Sequence, residues 1–258
     1  MSALLVALAI SLFWLQRVAF TPSTDADLAT AVMADDGVRS EVATLIASAD
    51  APVLNRSSAR MREFIVQILQ VDAGGALTAP FVEDAHARII GERDEPVQIA
   101  AGQQVAIVRD ERVALEPPIT LPVQEIGIVA ALDTITWWMM VVAAGLGLLA
   151  LLVGIVLRPE KGEATLALAG GFAALALLFP LFGWLVPVAL LPAISDDTWM
   201  AIFPALATQA RFVTFAVAIV SLVLAVLVVV TTSGARQRRQ FSTPLGVGRY
   251  REQQRWNR

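Results

Sequence analysis

Apolar residues are arranged in two ways along this 258-residue chain. In four places they run on almost without interruption. Between the first and second of these runs they recur instead at the three- and four-residue spacing of amphipathic helices. About 20 apolar residues cross a hydrocarbon core of roughly 30 Å as a helix, since every backbone amide then finds its partner inside the segment. Trp137 to Leu157, Ala164 to Leu191 and Phe212 to Thr231 reach that length with no charged side chain. The first run, Ala3 to Phe20, is shorter and carries Arg17 near its end, where a long side chain can reach the interface. No basic residue precedes it, and LQRVAFTPS lacks the small-residue cleavage pattern of a signal peptide, so it reads as an uncleaved span. The missing N-terminal positive charge predicts a true start upstream of Met1.

The expected fold class is an α-helical membrane protein with four transmembrane helices and a small, mainly helical extracytoplasmic domain containing a short β-hairpin. Its divisions are a first transmembrane helix over 1–20, the extracytoplasmic domain over 21–133, a second transmembrane helix over 134–157 and a cytoplasmic loop over 158–163. A third transmembrane helix over 164–191, an outer amphipathic helix over 192–210, a fourth transmembrane helix over 211–233 and a basic cytoplasmic tail over 234–258 complete it. Trp137 and Trp138 mark the outer interface, where indole rings favour the headgroup level.

Within 21–133 the helix signals are local. Asp25 caps a helix through Ala34. Asp36 caps a second, with Val38, Val42, Leu45 and Ile46 on one face. Ser57 or Ser58 opens a third with Met61, Phe64, Ile65, Ile68 and Leu69 in period. Gly74 and Gly75 stop the chain, Pro80 starts a fourth helix, and Gly91 closes it. QQVAIV and VALEP around RDER then read as a β-hairpin, and EPPITLP as an extended return to the membrane. Past the third span, Ser195 reads as a cap for SDDTWMAIFPALATQARF, with Trp199 near the interface and a kink at Pro204. Arg211 at the outer mouth of the fourth span either snorkels or pairs with Asp196 or Asp197; snorkelling is the simpler.

Small residues repeat on single faces of two spans: Ala143, Gly147, Ala150 and Gly154 in the second, Ala167, Gly170, Gly171 and Ala174 in the third. Such faces let helix backbones approach closely in lipid. The simpler reading packs these two helices on each other as a hairpin; the alternative docks a partner subunit.

Charge fixes the orientation. Arg158 and Lys161 lie between the second and third spans, and Arg236, Arg238 and Arg239 follow the fourth. Positive flanks belong in the cytoplasm. Both termini are then inside, and residues 21–133 lie outside with 18 Asp and Glu against 8 Arg and no Lys. The juxtamembrane arginines meet anionic lipid headgroups. Beyond them Arg249, Tyr250, Arg251, Arg255 and Trp256 form a second basic block, read as lying on acidic lipid or docking a partner. Deleting 246–258 should leave insertion intact and weaken complex association.

Composition narrows the chemistry. Hydrophobic residues make up 57% and charged residues 16% of the chain, against about 25% charged in soluble domains. There is no cysteine and one histidine, His86, which leaves little for metal or thiolate chemistry. The three longest spans hold no ionisable residue, against a channel or proton-coupled carrier. Walker A, HExxH, GxSxG and GxGxxG patterns are missing. His86 with Glu83 three residues before it reads as a surface histidine beside a carboxylate, with a catalytic pair as the alternative. Asp35, Asp36, Glu92, Asp94 and Glu95 read as solvated charge. Arg39, Arg56, Arg60 and Arg62 read as helix-surface pairing, with anion contact as the alternative. No cofactor, metal or nucleic acid is expected.

The order of features resembles a group of actinobacterial four-span integral membrane proteins with an extracytoplasmic region after the first span. The residues that carry it are LQRVAFTPSTDADLATAVMADDGVRSEVATLIASA, FVEDAHARIIGE before VAIVRDERVAL, and SDDTWMAIFPALATQARFVTF. The closing STPLGVGRYREQQRW is similar to that of accessory membrane subunits of Mce-type lipid importers. The resemblance implies a non-enzymatic inner-membrane component, structural or accessory to a cell-envelope complex and connected with lipid transport. The partners would be the bilayer, anionic headgroups and other membrane subunits. The alternative is a membrane-anchored sensor or ligand-binding module.

Overall fold

The computed structural model describes residues 1–156 and 161–241. Its helices are α1 (Ser2–Ala19), α2 (Ala26–Met33), α3 (Asp36–Val53), α4 (Ser58–Leu69), α5 (Asp72–Ile89), α6 (Ala101–Val108), α7 (Gly127–Val156), α8 (Lys161–Pro180) and α9 (Ile202–Phe241). Strands β1 (Gln98–Ile99) and β2 (Ile119–Thr120) pair antiparallel, with Gln98 opposite Thr120 and Ile99 opposite Ile119. Among the described residues four helical stretches are long and apolar enough to cross a membrane: Ser2–Ala19, Gly127–Gly154, Thr165–Ile194 and Thr198–Thr232.

α1 is the centre of the apolar bundle, with α7 on one side of it and α8 on the other, and α8 packs in turn on α9. A Cβ on Gly147 would lie 3.1 Å from Val6 and 3.3 Å from Leu5, and Gln16 bonds Asp133, so α7 runs antiparallel to α1. A Cβ on Gly171 would lie 2.7 Å from that of Ala3, and Trp14 stacks on Phe179, so α8 runs parallel to it. The expected hairpin of the second and third spans is therefore corrected: α7 packs chiefly on α1, α8 packs on α9 and α1, and α7 and α8 hardly meet.

Helices α2 to α6 form a domain whose core continues without a break into the bundle. Leu28, Val32, Val38, Val42, Ile46, Ile65, Leu69, Phe81 and Ile89 share one cluster with Leu15 and Ala19 of α1, with Phe20 just after it, and with Trp199, Ile202 and Phe203. The first helices follow their local signals. Asp25 accepts from the amide of Asp27 at 2.9 Å. For α3 the cap is Asp35, which accepts from Gly37 and Val38, while Asp36 pairs with Arg39.

Three local expectations fail for tertiary reasons. Gly74 and Gly75 lie inside α5, because α5 crosses α2 so closely that a Cβ on Gly75 would collide with Thr30 and the carbonyl of Ala26. Pro80 also lies inside α5; it removes one backbone bond, but its neighbours Ala79, Phe81 and Val82 are buried. The supposed hairpin run QQVAIV is α6, since Gln104, Ile107 and Val108 face the core at helical spacing. Gln104 donates to the carbonyls of Ile99 and Pro117 at 3.1 Å each, and Arg109 closes the helix at φ 58°. The sheet lies outside this helix, pairing Gln98 and Ile99 with Ile119 and Thr120 of the EPPITLP run read as extended.

Past Pro180 the third apolar stretch widens into a π-helix over Leu181–Leu190, which accommodates Pro187, and ends in a 3-10 turn over Pro192–Ile194. Ser195 is not a helix cap; Asp197 is, accepting from Trp199 at 2.9 Å. The outer helix and fourth span are one element, with Pro204 in the first turn of α9, where a missing amide proton leaves no bond unmade.

Candidate functional site

The polar chemistry of the molecule gathers where the domain meets the bundle. A helix leaves its last four carbonyls without internal partners. At the end of α1 one of these, on Ala19, meets Nε2 of His86 from α5 at 2.8 Å. A carbonyl can only accept, so Nε2 carries the proton and the ring is neutral with Nδ1 bare. Nδ1 has no partner. His86 is fully buried, and burial lowers its pKa to about 4, only partly offset by the bond to Ala19. Phe203 from α9 meets the ring edge to face, with centroids 5.8 Å apart at 87°. One imidazole thus joins α1, α5 and α9.

This corrects the reading of His86 as a surface histidine. Its Glu83 neighbour makes no bond to it, and burial shuts the whole ring, unpartnered Nδ1 included, away from solvent. The signal missed was the apolar surround of His86, with Val82, Ala85, Ile89 and Ile90 at helical spacing. Trp199 is likewise buried, at 1% exposure.

Around this joint further polar bonds tie the bundle helices to one another, and one ties α9 to the start of α2. Trp14 Nε1 donates to Thr214 Oγ1 at 2.9 Å, and Thr214 donates to Ala210 O at 2.9 Å. Gln16 Nε2 donates to Asp133, and Gln209 Nε2 to Asp25. Arg211 is exposed and pairs with neither Asp196 nor Asp197. A cavity of about 490 Å³ opens beside Gln16, Thr21, Glu92 and Asp133, and another of about 270 Å³ beside Arg17, Thr21 and Asp25. Burial raises the Glu92 pKa, with the Asp133 carboxylate adding to it.

A second unusual group lies in the domain. Asp50, near the end of α3, is fully buried with neither carboxylate oxygen partnered. Burial, and then the negative charge of Glu116, raise its pKa to about 6. Sequence reasoning missed it because an Asp in ASADAPV looks like a solvated helix end. Of the arginines considered for anion contact, Arg39 is committed to the carbonyls of Met33 and Ala34 and to Asp36, and Arg62 to Ser40.

The small-residue faces divide. Ala143 and Gly147 are buried against α1, Ala150 is half-buried, and Gly154 has open space around it. On α8, Gly171 meets Ala3, Ala174 is half-buried, and Ala167 and Gly170 are exposed. Arg158, Arg249, Tyr250, Arg251, Arg255 and Trp256 lie outside the described residues. So do the side chains of Lys161, Arg236, Arg238 and Arg239, although α8 begins at Lys161 and α9 extends to Phe241.

The chain matches no family model, no curated protein and no solved structure. Function is therefore argued from the joint itself.

Proposed function

We propose that the chain is a four-span inner-membrane protein with both termini in the cytoplasm and residues 21–133 outside. In this reading it serves as a non-enzymatic structural or accessory subunit of a cell-envelope complex, with lipid transport as the process. The observation that carries it is the unbroken core from α2–α6 into α1 and α9, fastened by His86. A ligand-binding module on a tether would hang from its span by a polar linker; this domain shares one hydrophobic core with the bundle. Such a platform suits a scaffold that fixes its neighbours. α7 adds to that reading, because it packs chiefly on α1 and exposes Val142, Leu146 and Leu149 to lipid or to another subunit.

Purification of the tagged full chain in mild detergent tests the role. Stable co-purification of a defined set of membrane proteins is expected, and recovery only as a lone monomer would overturn it. Topology has a separate test. With no native cysteine, Ser48→Cys alone should react with an impermeant maleimide from outside intact cells, and Ser242→Cys alone should not. The reverse pattern would invert the orientation.

A further inference from the structure

α7 covers one side of α1 and α8 the other, and the strip between them is open. Along it Val6, Ile10 and Phe13 are 38%, 43% and 56% exposed. Arg17 continues the same face at the next step of four residues, exposed at the domain end. The strip is a groove with two walls. A cavity of about 560 Å³ lies against Ala144 and Leu148 of α7, and one of about 250 Å³ against Leu168 and Phe172 of α8. Both include Val6, Ile10 and Leu151, so they are two halves of one apolar slot.

The polar end has a definite charge pattern. Arg17 makes no hydrogen bond or ion pair with any described residue. Asp25 shares its cavity and accepts from the neutral amide of Gln209, as Asp133 does from Gln16, so both keep their charge. On the α7 side Glu92 and Asp133 border the neighbouring cavity, and Thr21 borders both. Arg17 beside Asp25 therefore lies on one side of the groove mouth, and two carboxylates, Glu92 and Asp133, lie on the other.

We propose that this slot binds one phospholipid with a zwitterionic, amine-bearing headgroup. Its phosphate lies on Arg17, its ammonium toward Glu92 and Asp133, and an acyl chain runs along Phe13, Ile10 and Val6. The inference rests on reading α1, α7 and α8 as membrane spans. Length supports it: Val6 to Arg17 is a rise of roughly 16 Å at 1.5 Å per residue, the depth of one leaflet of a core about 30 Å thick. Size supports it too, since pockets of about 300–1,000 Å³ suit small ligands, whereas a partner helix is about 10 Å across. Charge then selects within phospholipids, because the two carboxylates repel a net anion at the mouth.

The test is native mass spectrometry of the full chain, extracted from membranes, delipidated and titrated separately with palmitoyl-oleoyl phosphatidylethanolamine and phosphatidylglycerol. One phosphatidylethanolamine per chain is expected, held more tightly than phosphatidylglycerol. Arg17→Gln should weaken it about fivefold, the weight of one basic side chain at a membrane surface. Ala144→Trp should abolish it by filling the α7 side, with Ile10→Trp as the second variant should the first fail to fold. No bound lipid, equal binding by the filled variants, or a photocrosslinker at Phe13 capturing a protein segment instead of lipid would each overturn the proposal. Alkaline carbonate washing separates this from the span reading: a chain that stays in the membrane pellet but binds no lipid fails only here, and a chain released by carbonate fails as a span protein.

Discussion

Truncating His86 to Ala removes the partner of the Ala19 carbonyl and opens a hole beside Phe203. Large-to-small changes in a core cost about 2–5 kcal/mol, and the carbonyl left bare adds to that. The unfolding midpoint of His86→Ala in detergent should fall well below that of the parent; an unchanged midpoint would mean the ring does not fasten the joint. Asp50 predicts the opposite sign. Its pKa of about 6 in the fold, against 3.8 ordinarily, means that ionised Asp50 destabilises the fold at neutral pH by roughly 3 kcal/mol. Asp50→Asn should therefore raise stability at pH 7 and confer nothing at pH 4, where the native carboxyl is already protonated. A variant less stable than the parent at pH 7 would imply a partner for the carboxylate that the fold does not show.

Among elements, packing around α1 gives a paired prediction. Gly171 has Ala3 at its Cβ position, whereas its neighbour Gly170 has nothing within 4 Å. Gly171→Leu should push α8 from α1 at an overpacking cost of about 1–3 kcal/mol, while Gly170→Leu is tolerated. Thermal unfolding of the two variants in the same detergent checks it, and equal behaviour would mean α8 meets α1 in another register. The same comparison shows what sequence can and cannot reveal. The apolar runs, the Asp25 cap and the Gly91 stop at φ 79° were legible, since each depends on nearby residues alone. Gly75 and Pro80 were misread as boundaries because their meaning lies in α2 and in a buried face far along the chain. The placement of α1 between α7 and α8 was hidden likewise: a small-residue face shows that something packs closely, not which helix does.

At the scale of the whole molecule, the two buried titrating groups oppose each other, and the pH response should reveal both. His86 has a folded pKa of about 4 against 6.5 ordinarily. A depressed histidine contributes stability that is present above 6.5 and lost as pH falls toward 4, because the unfolded chain takes up the proton first. Asp50 is raised, so its stabilising protonation is fully present below 3.8 and lost as pH rises through 6. Between pH 6.5 and 4 one group loses roughly 3 kcal/mol while the other gains a similar amount. The parent protein should thus show a nearly flat stability over this window. Asp50→Asn leaves the histidine unopposed, so its advantage at pH 7 should decline steadily to nothing at pH 4. His86→Leu leaves the carboxyl unopposed, and that variant should gain stability on acidification. Asp110, held down to about 2 by Arg112, titrates below this window, while the raised Glu92 adds the same gain on acidification to all three proteins and so leaves their differences intact. Unfolding midpoints of the three proteins at half-unit pH steps decide the matter. A parent that declines steeply from pH 6.5, with Asp50→Asn following the same curve, would show that Asp50 is not titrating in the domain core. Opposed slopes in the two variants would establish that the joint and the α3 end unfold as one unit, as their common core requires.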